Sequence, residues 1–358
     1  MTLLLFLKIE AKEMKDLTLK EILSKTLTGM SLAIVVALLP GALLSEISKY
    51  FQLTYIYNTV SITQYLLGAL MGISVGIQFK MTPIQIATLA VVTQIGTGNF
   101  RFTEVNGSMV ALIGGVGDVL NAWLALILGV IFIQLIGERL KSYTILILPM
   151  STILIVGSIV MFTHPYVSFV SAKIGELINY FTTLQPVLMG MLIAIAYSWL
   201  ILSPLSTVGI ALAIGLVGVG AGTANLGVIG SQMVCCIFGW SVNSQGISLS
   251  HVLGTPKIQL SNLFRVPRMF IPCAVVSAIL GAIGGFLSIE TSTFAAGFGL
   301  SGFLGPVGYM GIYGFTIDKL IFTTSIFFIL PLILTVIAKI IFMDKLKIVQ
   351  ADDYKLDL

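Results

Sequence analysis

Two short segments set polar side chains among glycines, where a ligand could meet them: Gly96-Thr97-Gly98-Asn99 and Gly222-Thr223-Ala224-Asn225. Thr and Asn both donate and accept hydrogen bonds, which suits an uncharged polyol. Glycine lets the backbone unwind and come close to a ligand. Two readings stay open for Thr97, Asn99, Thr223 and Asn225: they line a solute site, or they form tight loops capped by Asn in a left-handed conformation.

A second set is Asp118 and Asn121, three residues apart and therefore on one face of a helix. Both fall inside the apolar run Ser108 to Gly137. A carboxylate at membrane depth costs about 2.5–3.5 kcal/mol on insertion scales, so it faces a cavity or a partner. Asp118 could bind solute, carry a proton or pair with a cation. A break at Gly114-Gly115 would instead bring it nearer the surface. A third set lies between Trp240 and Pro272, where Asn243, Gln245, His251, Thr255, Lys257, Gln259, Asn262, Arg265 and Arg268 gather. This stretch fits a cytoplasmic loop or a hairpin dipping into the membrane. His251 could hydrogen-bond a sugar or a phosphate, and Lys257, facing a cavity, would favour an anion.

Other chemistries find no support. No Ser-His-Asp set is convincing, and His164 and His251 match no metal-ligand spacing. Cys235, Cys236 and Cys273 sit among apolar residues as small buried hydrophobes. Glycine recurs every three residues from Gly302 to Gly314, after Gly297 and Gly299. That spacing allows close helix packing, and Pro306 argues for a hairpin rather than one straight helix. No Gly-Lys-Ser or Gly-Lys-Thr follows, so a phosphate loop is a weak alternative. The sequence calls for no cofactor, no metal and no nucleic acid.

The elements that must position these residues follow from composition. The chain has 358 residues, 57% hydrophobic and 9% charged, with a mean hydropathy of +1.05. Soluble domains carry roughly 25% charged residues, so a soluble enzyme is excluded. The long unbroken apolar runs exclude the alternation of a membrane β-barrel. The expectation is an all-α, polytopic transmembrane bundle of about ten spans, at about 20 residues each. Their approximate bounds are Gly29–Leu44, Val60–Phe79, Ile84–Ile95, Ser108–Gly137, Thr144–Thr163, Pro186–Leu202, Leu205–Val219, Leu226–Trp240, Phe270–Ile289 and Leu320–Phe342. The shorter ones suggest half-helices or re-entrant hairpins buried in protein.

Residues 1–28 read as an amphipathic cytoplasmic segment, 29–343 as the transmembrane domain and 344–358 as a cytoplasmic tail. With the N-terminus inside, 15 Lys and Arg fall on the inner side and 4 on the outer. That bias puts both termini in the cytoplasm of a cell-membrane protein. Three landmarks recur: Gly68 and Gly190 at an offset of 122, Thr97 and Thr223 at 126, Gly107 and Gly230 at 123. They suggest a parallel internal repeat with halves near 29–143 and 144–269, followed by 270–343. Transporters are often built from repeats, with solute between them.

Gly254 to Cys273 carries a family resemblance. Gly254-Thr255-Pro256-Lys257-Ile258, then Val266-Pro267 and Phe270-Ile271-Pro272, resemble the loop and following span entry of the membrane (IIC) components of the sugar phosphotransferase system. The whole chain looks like the EIIC-type family that includes the perfringolysin O regulator. The resemblance implies a permease for a small polar solute, a sugar or sugar-like anion, working as a homodimer by elevator-type movement. It also implies separate IIA and IIB phosphotransfer subunits as partners. One departure is chemical. The family's loop glutamate lies beside the hydroxyl that becomes phosphorylated; here Thr255 precedes the proline and Lys257 follows, and no acidic residue occurs between Glu176 and Glu290. Thr and Lys do not accept that proton as a carboxylate does. The resemblance leaves three functions in view: a permease, a membrane-embedded ligand sensor, and a true phosphotransferase subunit using a different acid.

Overall fold

The computed structural model describes residues 18–137, 143–293 and 295–356. It is an all-α bundle with one small β-hairpin. In a bilayer every backbone polar group must be satisfied internally, so apolar runs become helices. The first half contains α1 (Leu19–Tyr50), α2 (Thr54–Tyr65), α3 (Leu67–Gln78), α4 (Pro83–Gly96), β1 (Phe100–Val105), β2 (Ser108–Ile113), α5 (Val119–Gly137) and α6 (Thr144–Phe181). The second contains α7 (Pro186–Ile201), α8 (Thr207–Ala213), α9 (Gly218–Phe238), α10 (Gln245–Leu253), α11 (Leu260–Arg265), α12 (Phe270–Phe286), α13 (Leu304–Tyr313) and α14 (Ile317–Lys345).

Six of these helices are long and apolar enough to cross a membrane. The pair α2–α3, bent by 53°, makes a seventh if taken as one span, and α4 and α7 are shorter apolar helices. The predicted span Phe270–Ile289 matches α12 closely. Four others need correction. The apolar run from Ser108 is not one helix: residues 108–113 form β2, paired antiparallel with β1 around Asn106-Gly107. Both turn residues have positive φ (50° and 79°), as a two-residue Asn-Gly hairpin requires. Asp118 therefore stands at the start of α5 rather than inside a span. Leu205–Val219 forms only the seven-residue α8 and flanking turns. The helix expected from Leu226 begins at Gly218, and the one expected to end at Thr163 runs on to Phe181. Residues 19–28 are the first turns of α1, with Ile22, Thr26 and Leu27 buried; residues 1–17 of the proposed amphipathic segment lie outside the described residues.

The second-half core is α7, α9 and α12, packed through small residues. A Cβ on Gly190 would stand 2.3 Å from the Gly281 carbonyl oxygen, and one on Gly227 2.3 Å from that of Ala194. Nothing larger than hydrogen fits at such crossings. The first-half core joins α1, α3 and α5 around Met30, Met71 and Leu126. In both halves glycine meets the landmark threonine: Gly68 touches the Thr97 methyl and Gly190 the Thr223 methyl. The likeness stops at that contact. Gly72 faces Ala90 and Gly76 faces Ile86, so α3 and α4 run antiparallel. Ser198 bonds Ser231 while Gly190 meets Thr223, so α7 and α9 run parallel.

Candidate functional site

Two cavities meet inside the bundle. The inner chamber, about 390 Å³, is walled by Gly114–Gly117, Ser206–Gly209, Gly254, Thr255, Lys257, Gly297, Phe298 and Ser301, with apolar residues such as Ile34 and Leu67. The vestibule, about 860 Å³, is lined by Thr97, Asn99, Arg101, Asp118 and one face of α6. The two share Gly114, Gly117, Val119, Ser206 and Gly209, so these residues form the partition.

The inner wall is made of broken backbone held by amides. The bend between α2 and α3 frees the Tyr65 carbonyl, which accepts from Gln94 Nε2 and Asn99 Nδ2, both at 3.1 Å. Asn99 Nδ2 also donates to the Gly115 carbonyl at 3.2 Å, and its Oδ1 accepts from Gln94 and from Thr97 Oγ1. On the opposite side Asn225 Nδ2 donates to the carbonyls of Ala295 (2.6 Å) and Gly299 (3.3 Å). Gln232 Nε2 donates to the Phe298 carbonyl and to Ser301 Oγ, and its Oε1 accepts from Leu300 N–H. The two Gly-Thr-x-Asn segments thus serve one chamber from two sides, through the glycine-rich strips they hold. Ser301 Oγ donates in turn to the Gly254 carbonyl, and Thr207 Oγ1 to that of Gly297.

Lys257 is the one charged side chain on the chamber wall among the described residues. Its Nζ donates to the carbonyls of Leu200 (3.3 Å), Ser203 (2.5 Å) and Leu205 (2.7 Å). Burial pushes its pKa down to about 7, which the three acceptors oppose by stabilising the ammonium. Thr255 Oγ1 caps the turn that begins at Pro256 by accepting from Lys257 N–H.

Between Trp240 and Pro272 the middle is packed, with His251, Gln259 and Asn262 buried, while Gln245, Arg265 and Arg268 are exposed. Burial also pushes His251 down to about 4, so it is neutral. Gln259 Nε2 donates to His251 Nε2 and to the Tyr354 carbonyl. His251 Nδ1 is then the donor toward the Ser248 carbonyl. Asn262 Nδ2 donates to Gln259 Oε1 and to the Lys355 carbonyl. The C-terminal tail is thereby docked, with Tyr354 fully buried against Phe238.

Of the nine residues expected at the site, Thr97, Asn99 and Asp118 line the vestibule and Thr255 and Lys257 the chamber. Asn121, Thr223, Asn225 and His251 line neither. Asn121 is spent as a clamp, donating to the carbonyls of Gly96 and Val160 and accepting from Thr163. Thr223 Oγ1 donates to the Gly220 carbonyl within α9. Asp118 caps α5, its Oδ1 accepting from Leu120 and Asn121 N–H. Residues the sequence reading passed over include Gln64, Ser206, Thr207 and Ser301 at the chamber and His164, Ser168, Ser171 and Glu176 at the vestibule. His164, Ser168 and Ser171 recur at helical spacing along α6, a signal legible once the helix is extended past Pro165.

A helical membrane bundle with a largely apolar chamber, set with a few polar groups, between broken helices has the architecture of a membrane carrier. The family described as Phosphotransferase system, EIIC matches residues 24–356; the chain belongs to this family and is a multi-pass membrane permease-type transporter component. No curated protein and no solved structure matches the chain.

Proposed function

We propose that this protein is a permease that carries a small polar solute, a sugar or sugar-like anion, between vestibule and chamber without phosphorylating it. The observation that carries the reading is the shared partition: one short glycine-rich strip and one helix start separate the two cavities. The chamber lies within the size range of small-molecule sites. Gln64, Ser206, Thr207, Thr255 and Ser301 supply donors and acceptors for hydroxyls. Among the described residues no carboxylate lines the chamber, so none stands ready there to take a hydroxyl proton. In the same reading both termini are cytoplasmic, the permease is a homodimer, and separate phosphotransfer subunits are partners for control rather than chemistry.

The test combines thermal stabilisation with uptake. The purified protein is screened against sugars, sugar phosphates and small anions, and hits are followed into proteoliposomes. Unmodified solute accumulating inside supports the permease, and Thr255→Val or Ser301→Ala should weaken binding roughly tenfold, about 1.4 kcal/mol. Binding with no uptake would replace this reading with a ligand sensor. Phosphorylated product formed only with phosphotransfer partners would replace it with a phosphotransferase.

A further inference from the structure

We propose that the Lys257 ammonium is a built-in cation filling a monovalent-cation site made by the backbone carbonyls of Leu200, Ser203 and Leu205. The site lies at the broken end of α7. An α-helix leaves its last carbonyls without partners, and its C-terminal end carries partial negative charge. After Ile201 the chain turns through Pro204 before α8 begins at Thr207, so carbonyls from the helix end and from the turn converge on one point. The carbonyls of Ser203 and Leu205 meet the ammonium at 2.5 and 2.7 Å, and that of Leu200, which also accepts from Ser203 N–H and Oγ, meets it at 3.3 Å. No described carboxylate lies within ion-pair distance of Lys257. The charge is offset by oriented dipoles alone, as a dehydrated cation is.

Unwound carbonyls and half-helix C-terminal ends are what secondary transporters use to hold a coupling Na⁺ or H⁺. Here a covalently attached ammonium takes that place. While protonated it cannot leave, so this cage then offers nothing to a coupling Na⁺. That consequence rests on the permease reading; the occupancy of the cage does not.

The experiment compares the wild-type protein, Lys257→Ala and Lys257→Met in detergent at pH 6, where Lys257 keeps its proton. Thermal unfolding is followed in chloride salts of choline, sodium, potassium and ammonium at equal ionic strength. Wild type should unfold at the same temperature in all four. Lys257→Ala should unfold earlier in choline and recover by at least about 2 °C in ammonium or potassium, since a cation bound to the folded state stabilises it. Lys257→Met, whose apolar chain blocks the cage, should show no recovery. Equal responses of wild type and Lys257→Ala, or a folded Lys257→Ala indifferent to every cation, would overturn the proposal. If Lys257→Ala aggregates in choline, the same salts are applied from extraction onward. Monodisperse protein in potassium or ammonium alone supports the cage, and aggregation in all four overturns it. No solute enters the assay, so failure here and failure of the permease reading are separate results.

Discussion

Gln94 with Asn99, and Asn225 with Gln232, are two amide pairs with one task in different surroundings. Each holds irregular backbone that walls the same chamber. The first pair supports the α2–α3 bend and Gly115 from the end of α4, where Asn99 also borders the vestibule. The second supports residues 295–301 from inside α9, with both amides fully buried. Spacing reflects this: Asn225 and Gln232 are seven apart, two turns along one helix face. The difference teaches that amide chemistry sets which carbonyls are held, while the amide's setting, at a cavity edge or deep between helices, sets what holding them is worth.

The largest expected effect is at the dry pair. Asn225→Ala removes one of two donors from each of the carbonyls of Ala295 and Gly299, which keep the Phe298 and Gly305 N–H groups, and it empties a fully buried place. Each of the two lost hydrogen bonds is worth about 0.5–1.5 kcal/mol, and at about 2–4 °C per kcal/mol the unfolding temperature should fall by several degrees. Asn99→Ala should cost less than about 1.5 kcal/mol, because Gln94 still serves Tyr65 and the strip around Gly115 lies next to the vestibule. If thermal unfolding shows Asn99→Ala to be the more damaging, the contrast between dry and wet pairs is wrong. The double variant Gln94→Ala with Asn99→Ala sharpens it. Tyr65 then loses both donors, so the cost should exceed the sum of the single changes.

How much of this could be read from the chain varies by residue. Low charge and long apolar runs gave the membrane class, because bilayer solvent constrains composition more strongly than any motif does. The Gly-Thr-x-Asn pair drew attention to Asn99 and Asn225 but not to the carbonyls they hold. Whether an amide faces a cavity or grips a carbonyl depends on distant partners, such as Gly299 for Asn225. Gln94 and Gln232 stand two residues from the landmark glycines Gly96 and Gly230, but inside apolar helices, where nothing in the spacing singles out an amide. The β-hairpin was legible and was missed. Asn106-Gly107 is a strong two-residue turn signal, but Ser108 to Ile113 ran on into the apolar α5 and read as helix. That error placed Asp118 too deep. The polar face of α6 was hidden by Pro165, which the structure accommodates inside the helix.

The smallest expected effect tests the vestibule itself. Ser168 Oγ donates to Asp118 Oδ2 at 3.3 Å, while both cap bonds go to Oδ1. Losing the serine therefore leaves the cap of α5 intact. Ser168 is half-buried on the face of α6 that lines the vestibule, where a water has room to replace its hydroxyl. Ser168→Ala should change stability by no more than about 0.5 kcal/mol, whereas Asp118→Ala removes the cap and should cost about 1 kcal/mol. Equal losses in thermal unfolding would mean that the serine positions the carboxylate and that the vestibule wall is as tightly built as the chamber. Unequal losses in the expected order keep the distinction between a wet, replaceable wall and a dry, fixed one.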